Sequence, residues 1–171
     1  MFAIKCQLNS DQQWTVRGFP LWVEAPPTRQ GCTVKFRVLI VEDDPFIAMD
    51  LEGVLSEAGC DICGVAASEA EALRLAEATR PPFAVVDVRL SPGDGRIVAR
   101  ELLRHYDTAV LMATAHSREL DNLAATGALA CLPKPYSADD VPAALLAISE
   151  LRAGRPVSRF PSHMFALGRR A

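Results

Sequence analysis

The chain has 171 residues and a formal net charge of −3, from 18 Lys and Arg against 21 Asp and Glu, with half of its residues apolar and 23% charged. Those proportions suit one globular domain with residues to spare; they exclude a disordered, collagenous or repeat-built chain and nearly exclude a second sizeable domain. The charge is unevenly divided: residues 37–153 carry 10 basic and 19 acidic side chains, net −9, against 4 and 2 in residues 1–36 and 4 and 0 in residues 154–171.

No apolar run approaches the roughly 18 residues of a membrane span, and the N-terminus lacks the pattern of a secretory signal, so a cytoplasmic protein with no membrane partner is expected. The net charge of residues 37–153 would repel phosphates, which argues against direct nucleic-acid binding. Five cysteines spread from Cys6 to Cys131 do not form a disulfide framework in a chain this long. Cys60 and Cys63 make a C-x-x-C, but they sit in an alternating strand-like stretch rather than at a helix N-terminus, and no histidine stands at ligand spacing. They read as two half-buried strand cysteines.

The first 35 residues hold Trp14, Trp22, Pro20, Pro26 and Pro27 and show no period. They read either as a docking arm, with a short hairpin around Trp14 to Val23, or as translated upstream sequence with synthesis starting near Val34. Regularity begins at Arg37. Val38 to Val41 is a continuous apolar run of the kind expected for a strand buried on both faces, and it ends in Glu42-Asp43-Asp44. Asp44 reads as a cap for a helix opened by Pro45, with Ile47, Leu51, Val54, Leu55 and Ala58 on one face and Gly59 at its stop. A strand is predicted over Cys60–Val65. A Ser68/Glu71 capping box then opens a helix to about Thr79.

After Pro81-Pro82, Phe83 to Asp87 is a second apolar strand ending in a carboxylate. A loop over Ser91–Gly95 leads to a helix near Ile97–His105. A strand over Ala109–Thr114 and a helix from Ser117 to about Thr126 follow. Ala128–Leu132 is a shorter strand before Pro133-Lys134-Pro135, and a last helix runs to about Ala153. Pro142 would break a hydrogen bond if that helix began at Ser137, so its regular part is expected to start at Asp139 or Asp140. Alternation of strand and helix predicts an α/β fold, a doubly wound five-stranded parallel sheet with right-handed crossovers.

In such sheets ligands bind beyond the carboxyl ends of the strands, where Glu42, Asp43, Asp87, Thr114 and Lys134 all fall. Three clustered carboxylates repel one another, and a hard cation with oxygen ligands is the usual remedy; Mg2+ fits, since it recruits only one or two carboxylates and keeps its waters. Lys134 adds a positive point charge and Thr114 a hydroxyl donor for phosphoryl oxygens. The set describes a phosphoacceptor aspartate, whereas taken singly each residue reads as a cap, a turn former or a solvated side chain.

These residues resemble the CheY-like receiver domain of bacterial two-component response regulators. The resemblance covers about Phe36 to Ala153 and rests on Val38-Leu39-Ile40-Val41-Glu42-Asp43-Asp44, Val85-Val86-Asp87-Val88-Arg89-Leu90 with Asp94-Gly95, Met112-Ala113-Thr114-Ala115 and Leu132-Pro133-Lys134-Pro135-Tyr136. It implies strand order 2-1-3-4-5 and phosphorylation of Asp87 by a histidine kinase. Asp43 and Asp87 would bind Mg2+ directly, Glu42 through water, and Arg89 through its backbone carbonyl. Thr114 would be the switch hydroxyl and Lys134 the phosphate-binding lysine, with a cis bond to Pro135.

Two departures bear on function. The family's aromatic three residues before the lysine is replaced by Cys131, so a threonine-aromatic switch is not expected. Arg89 and His116 flank the phosphoryl position, either screening it from attacking water or standing as plain surface residues.

The organisation expected is an extension over 1–35, a receiver over 36–153 and a basic tail over 154–171. That tail is too short for an output domain and reads either as a docking segment or as a disordered solubilising tail. The function expected is a non-enzymatic, single-domain response regulator. Its partners would be a sensor histidine kinase or phosphotransfer protein and a downstream protein, with homodimerisation a family-level expectation. Two alternatives stand beside it. A haloacid dehalogenase-like phosphatase would need a second Asp where Arg89 stands, and a phosphorylation-independent scaffold would have no use for the intact acidic set.

Overall fold

The computed structural model describes residues 7–8, 14–15, 36–115 and 123–167. The chain divides into two units, Met1–Cys32 and Thr33–Ala171. In the first, β1 (Gln7–Leu8) pairs antiparallel with β2 (Trp14–Thr15). The expected hairpin around Trp14 to Val23 thus differs in its partner: Trp14 pairs with a segment upstream of it, and residues 16–23 lie outside the described ones.

The second unit begins with β3 (Arg37–Val41), whose last four residues are buried, as their uninterrupted apolar character requires. Helix α1 (Pro45–Glu57) starts where predicted: the Asp44 carboxylate accepts from the backbone N–H of Phe46 at 2.9 Å and of Ile47 at 3.2 Å, and Pro45 has no N–H to orphan. β4 (Asp61–Ala66) follows, then α2 (Glu69–Thr79). Ser68 Oγ accepts from Glu71 N–H at 3.3 Å, but Glu71 returns to Ala67 N–H, not to that of Ser68, so the capping box is displaced by one residue on its second arm.

β5 (Phe83–Asp87), α3 (Gly95–Tyr106) and β6 (Ala109–Thr114) come next. The helix predicted over Ser117–Thr126 falls mostly on undescribed residues, and the part described is a 3-10 turn, Ala124–Thr126. β7 (Ala130–Pro133) leads through a cis Lys134–Pro135 bond to α4 (Asp140–Arg152), which places Pro142 at its third position, where a helix has no N–H bond to lose.

The sheet runs β4-β3-β5-β6-β7-β8, parallel from β4 to β7, which is the predicted order 2-1-3-4-5 with one strand added. That addition corrects the reading of residues 154–171 as a tail apart from the fold. β8 (Phe165–Ala166) pairs antiparallel with β7, and Leu167 N–H donates to Leu129 C=O at 2.9 Å. The outer edge of β7 is a row of backbone donors and acceptors, which the tail satisfies in part.

Two apolar cores lie on opposite faces of the sheet. One joins α2 and α3 to it through Ala72, Ala76, Val98 and Leu102. The other joins α1 and α4 through Leu51, Leu55, Leu145 and Ile148. Met164 belongs to the second and Leu167 to the first, so residues around β8 contribute to both faces.

Candidate functional site

The strand ends deliver the acidic residues to one point. Ile40 pairs with Val85 and Val41 with Val86, so Glu42 and Asp87 follow two adjacent parallel strands at nearly the same height. β7 pairs Pro133 with Thr114, which brings Lys134 over the same edge. Its Nζ donates to Glu42 Oε2 at 2.7 Å and to Asp87 Oδ2 at 2.8 Å. Glu42, Asp43 and Asp87 each offer a carboxylate oxygen within 4.8 Å of the others.

The electrostatics follow from depth. Glu42 is 2% exposed, and this burial raises its pKa; the hydrogen bond from Lys134 works against the rise and the neighbouring Asp87 charge adds to it. Burial pulls Lys134 down, but its hydrogen bonds to Asp87 and Glu42, with their charges, outweigh this and hold the ammonium above the ordinary lysine value. One cation therefore neutralises part of a three-carboxylate cluster and leaves it net negative. With Lys134 on Glu42 and Asp87, oxygens of Asp43 and Asp87 remain near the surface, which suits a hard cation held by few carboxylates and several waters.

Backbone contacts position the rest. Asp43 Oδ2 accepts from Ser91 N–H at 3.1 Å and Asp87 Oδ1 from Arg89 N–H at 3.3 Å. Thr114 is buried, and its C=O accepts from Lys134 N–H at 2.7 Å. His116 lies outside the described residues. Ser91 was not singled out from the sequence, because it contributes only an N–H, which any non-proline residue could supply. Gly95 was, through Asp94-Gly95, and the reason is steric: a Cβ on it would lie 1.7 Å from the Asp87 carbonyl oxygen. Asp94 caps α3 by accepting from Arg96 N–H at 2.9 Å, and the hydrogen bonds and charge of Arg96 lower its pKa despite some burial. The Tyr136 hydroxyl is buried with no hydrogen-bond partner among the described residues, and burial pushes its pKa up to about 12.

An acidic groove of about 260 Å³ opens beside the cluster, lined among others by Glu42, Asp43, Met49, Glu52 and Glu71. Phe46 and Met49 on α1 are 76% and 65% exposed.

A doubly wound sheet with clustered carboxylates and a lysine at its carboxyl edge defines a class, and comparison with known proteins agrees. The response regulator receiver domain model matches residues 38–146, and the chain belongs to that family. The transcriptional regulatory protein PdtaR of Mycobacterium tuberculosis is 37% identical over 130 residues, 74% of this chain and 63% of PdtaR, so the chain spans less than two thirds of that relative. The phyllosphere-induced regulator PhyR of Methylorubrum extorquens is 37% identical over 81 residues, 46% of this chain and 30% of PhyR. Among solved structures, the receiver domain of a diguanylate cyclase from Desulfovibrio desulfuricans G20 superposes with a TM-score of 0.64 at 28% identity, covering 71% of this chain and 99% of that one.

Proposed function

We propose that this receiver accepts a phosphoryl group on Asp87 from a phosphohistidine of a sensor kinase or phosphotransfer protein, and acts by changing its affinity for another protein. The observation that carries the reading is the two-way grip of Lys134 on Glu42 and Asp87 beside Asp43. An Asp87 carboxylate oxygen forms the new P–O bond, the P–N bond to imidazole breaks, and its electron pair stays on the departing nitrogen. Lys134 is placed to follow the charge from carboxylate to phosphoryl oxygen, and Thr114 stands at the neighbouring strand end to donate its hydroxyl. Asp43 and Asp87, with Glu42 through water and the Arg89 carbonyl, would hold Mg2+, which supplies charge neutralisation as the anionic group approaches.

No turnover of an external substrate is proposed: Arg89 stands where a phosphatase of the dehalogenase type needs its second Asp. The acidic groove with exposed Phe46 and Met49 beside the cluster suits docking of the phosphodonor. A cytoplasmic site of action and a homodimeric form belong to the same reading. Incubation with labelled acetyl phosphate and Mg2+ tests it. Label is expected on the wild type and not on Asp87→Asn; label persisting on the variant, or absent from the wild type, removes the assignment.

A further inference from the structure

β7 is shared between the acidic site and the C-terminal segment. At one end it runs into Lys134, whose ammonium spans Glu42 and Asp87 and whose N–H is held by Thr114 C=O at 2.7 Å. At the other, Ala130 and Cys131 pair with Ala166 and Phe165. Cys131 and Lys134 are three positions apart, about 10 Å of extended chain. The site and β8 thus act on one four-residue strand.

β8 is the weakest joint of the sheet. It has two residues and, among the described residues, pairs only with β7 and ends the sheet. Its hold comes from anchors on either side: Met164 and Leu167, 8% and 9% exposed, and a Ser158 N–H and hydroxyl that donate to Glu150 on α4. Phe165, between the anchors, is 48% exposed. Leu167 packs in the same apolar cluster as Cys131, and Met164 in that of Leu132, so both anchors depend on where β7 lies.

We propose that residues 158–167 form a strap, docked on β7 while Asp87 is unmodified and loosened when Asp87 carries a phosphoryl group. This rests on the phosphoacceptor reading above. A phosphoryl group interposed at Asp87 Oδ2 takes the position where Lys134 Nζ now bonds, so the lysine must retreat or turn. Glu42, 2% exposed and bonded to the same nitrogen, cannot follow it outward. The lysine stem takes up part of that displacement, and the rest reaches the end of β7 through the Lys134 backbone, whose N–H is tied to Thr114 C=O. The packing of Met164 and Leu167 fits β7 as it stands with Lys134 between bare carboxylates, and displacement of that strand reduces the fit. By linkage the effect is reciprocal: a docked strap opposes phosphorylation by the factor with which phosphorylation opposes docking.

Amide hydrogen exchange of the full chain, read by mass spectrometry on peptides covering residues 158–167, tests this with acetyl phosphate and Mg2+ as the phosphorylating mixture and intact mass as the measure of phosphorylation. Phosphorylation is expected to speed exchange in these peptides at least about fivefold and to leave Asp87→Asn unchanged. A phosphoryl mass increment with unchanged exchange overturns the strap and leaves the phosphoacceptor reading standing; no increment removes both. Leu167→Asp supplies the reciprocal arm, since an undocked strap is expected to tighten equilibrium binding of the phosphoryl mimic beryllofluoride, with Mg2+, about fivefold. If that variant exchanges fast in residues 158–167 but binds beryllofluoride with wild-type affinity, the two ends of β7 are not coupled and the proposal fails.

Discussion

Lys134 holds two carboxylates at once, and its removal would leave Glu42 with a negative charge at 2% exposure and no cation. Taking one partner from such a pair costs about 3 kcal/mol or more where the orphan stays charged. Glu42 has an escape, because burial already raises its pKa and loss of Lys134 would raise it further. A carboxyl whose folded value lies above its unfolded one contributes stability below the unfolded value and loses it as pH rises through the folded value. Lys134→Ala is therefore expected to lose stability as pH rises from the ordinary glutamate value, about 4.3, towards neutrality. The wild-type Lys134, whose own pKa is raised, keeps its contribution there and loses it only as pH rises through its folded value, above the ordinary lysine range. Urea midpoints of both proteins across this range check the sign, and a variant equally stable at both ends would show that Glu42 is not the orphaned group.

At the scale of elements, the loop between β5 and α3 makes the strongest demand on one side chain. Gly95 opens α3, donates its N–H to Val88 C=O at 3.1 Å, and passes so near the Asp87 carbonyl that a methyl group there would overlap it at 1.7 Å. The clash is with backbone, so no rotamer change relieves it. Gly95→Ala is expected to destabilise the fold by about 3 kcal/mol, the upper part of the range for overpacking, and to displace Asp87 from Lys134. Thermal unfolding together with the phosphorylation rate measures both, and a variant of normal stability and rate would mean that the loop moves aside freely.

Much of this level was legible in the sequence. Continuous apolar runs ending in Glu42 and Asp87 announced two central parallel strands, and Asp44-Pro45 announced the helix after the first; the helix after the second starts at Gly95, two residues before its expected start near Ile97. β8 was not legible, because two residues carry no periodicity and Phe165–Ala166 becomes a strand only through the open edge of β7 beside it. The register shift of β4 against β3, between Val38 and Leu39, was hidden for a like reason: it depends on pairing with a neighbour rather than on local pattern.

For the molecule as a whole, the acidic excess of residues 37–153 and the site pull against each other. Net charge is −9 over that stretch, and three of its carboxylates are held within 4.8 Å with one lysine between two of them. A cluster of this kind costs stability until a cation joins it, so the fold is less stable than its packing allows while the metal is absent. Asp43 exposes that cost most directly, since among the described residues it has no ion pair and one hydrogen bond, from Ser91 N–H, which an amide oxygen can also accept. Asp43→Asn is expected to stabilise the metal-free protein by about 1 kcal/mol, as relief of one like-charge contact in partly exposed surroundings. Adding Mg2+ reverses the ranking by mass action: the wild type gains roughly RT ln(1 + [Mg2+]/Kd), while the variant, with one acidic ligand fewer, gains little. The two unfolding temperatures should therefore cross as Mg2+ is titrated in, and parallel curves would mean that Asp43 takes no part in holding the ion.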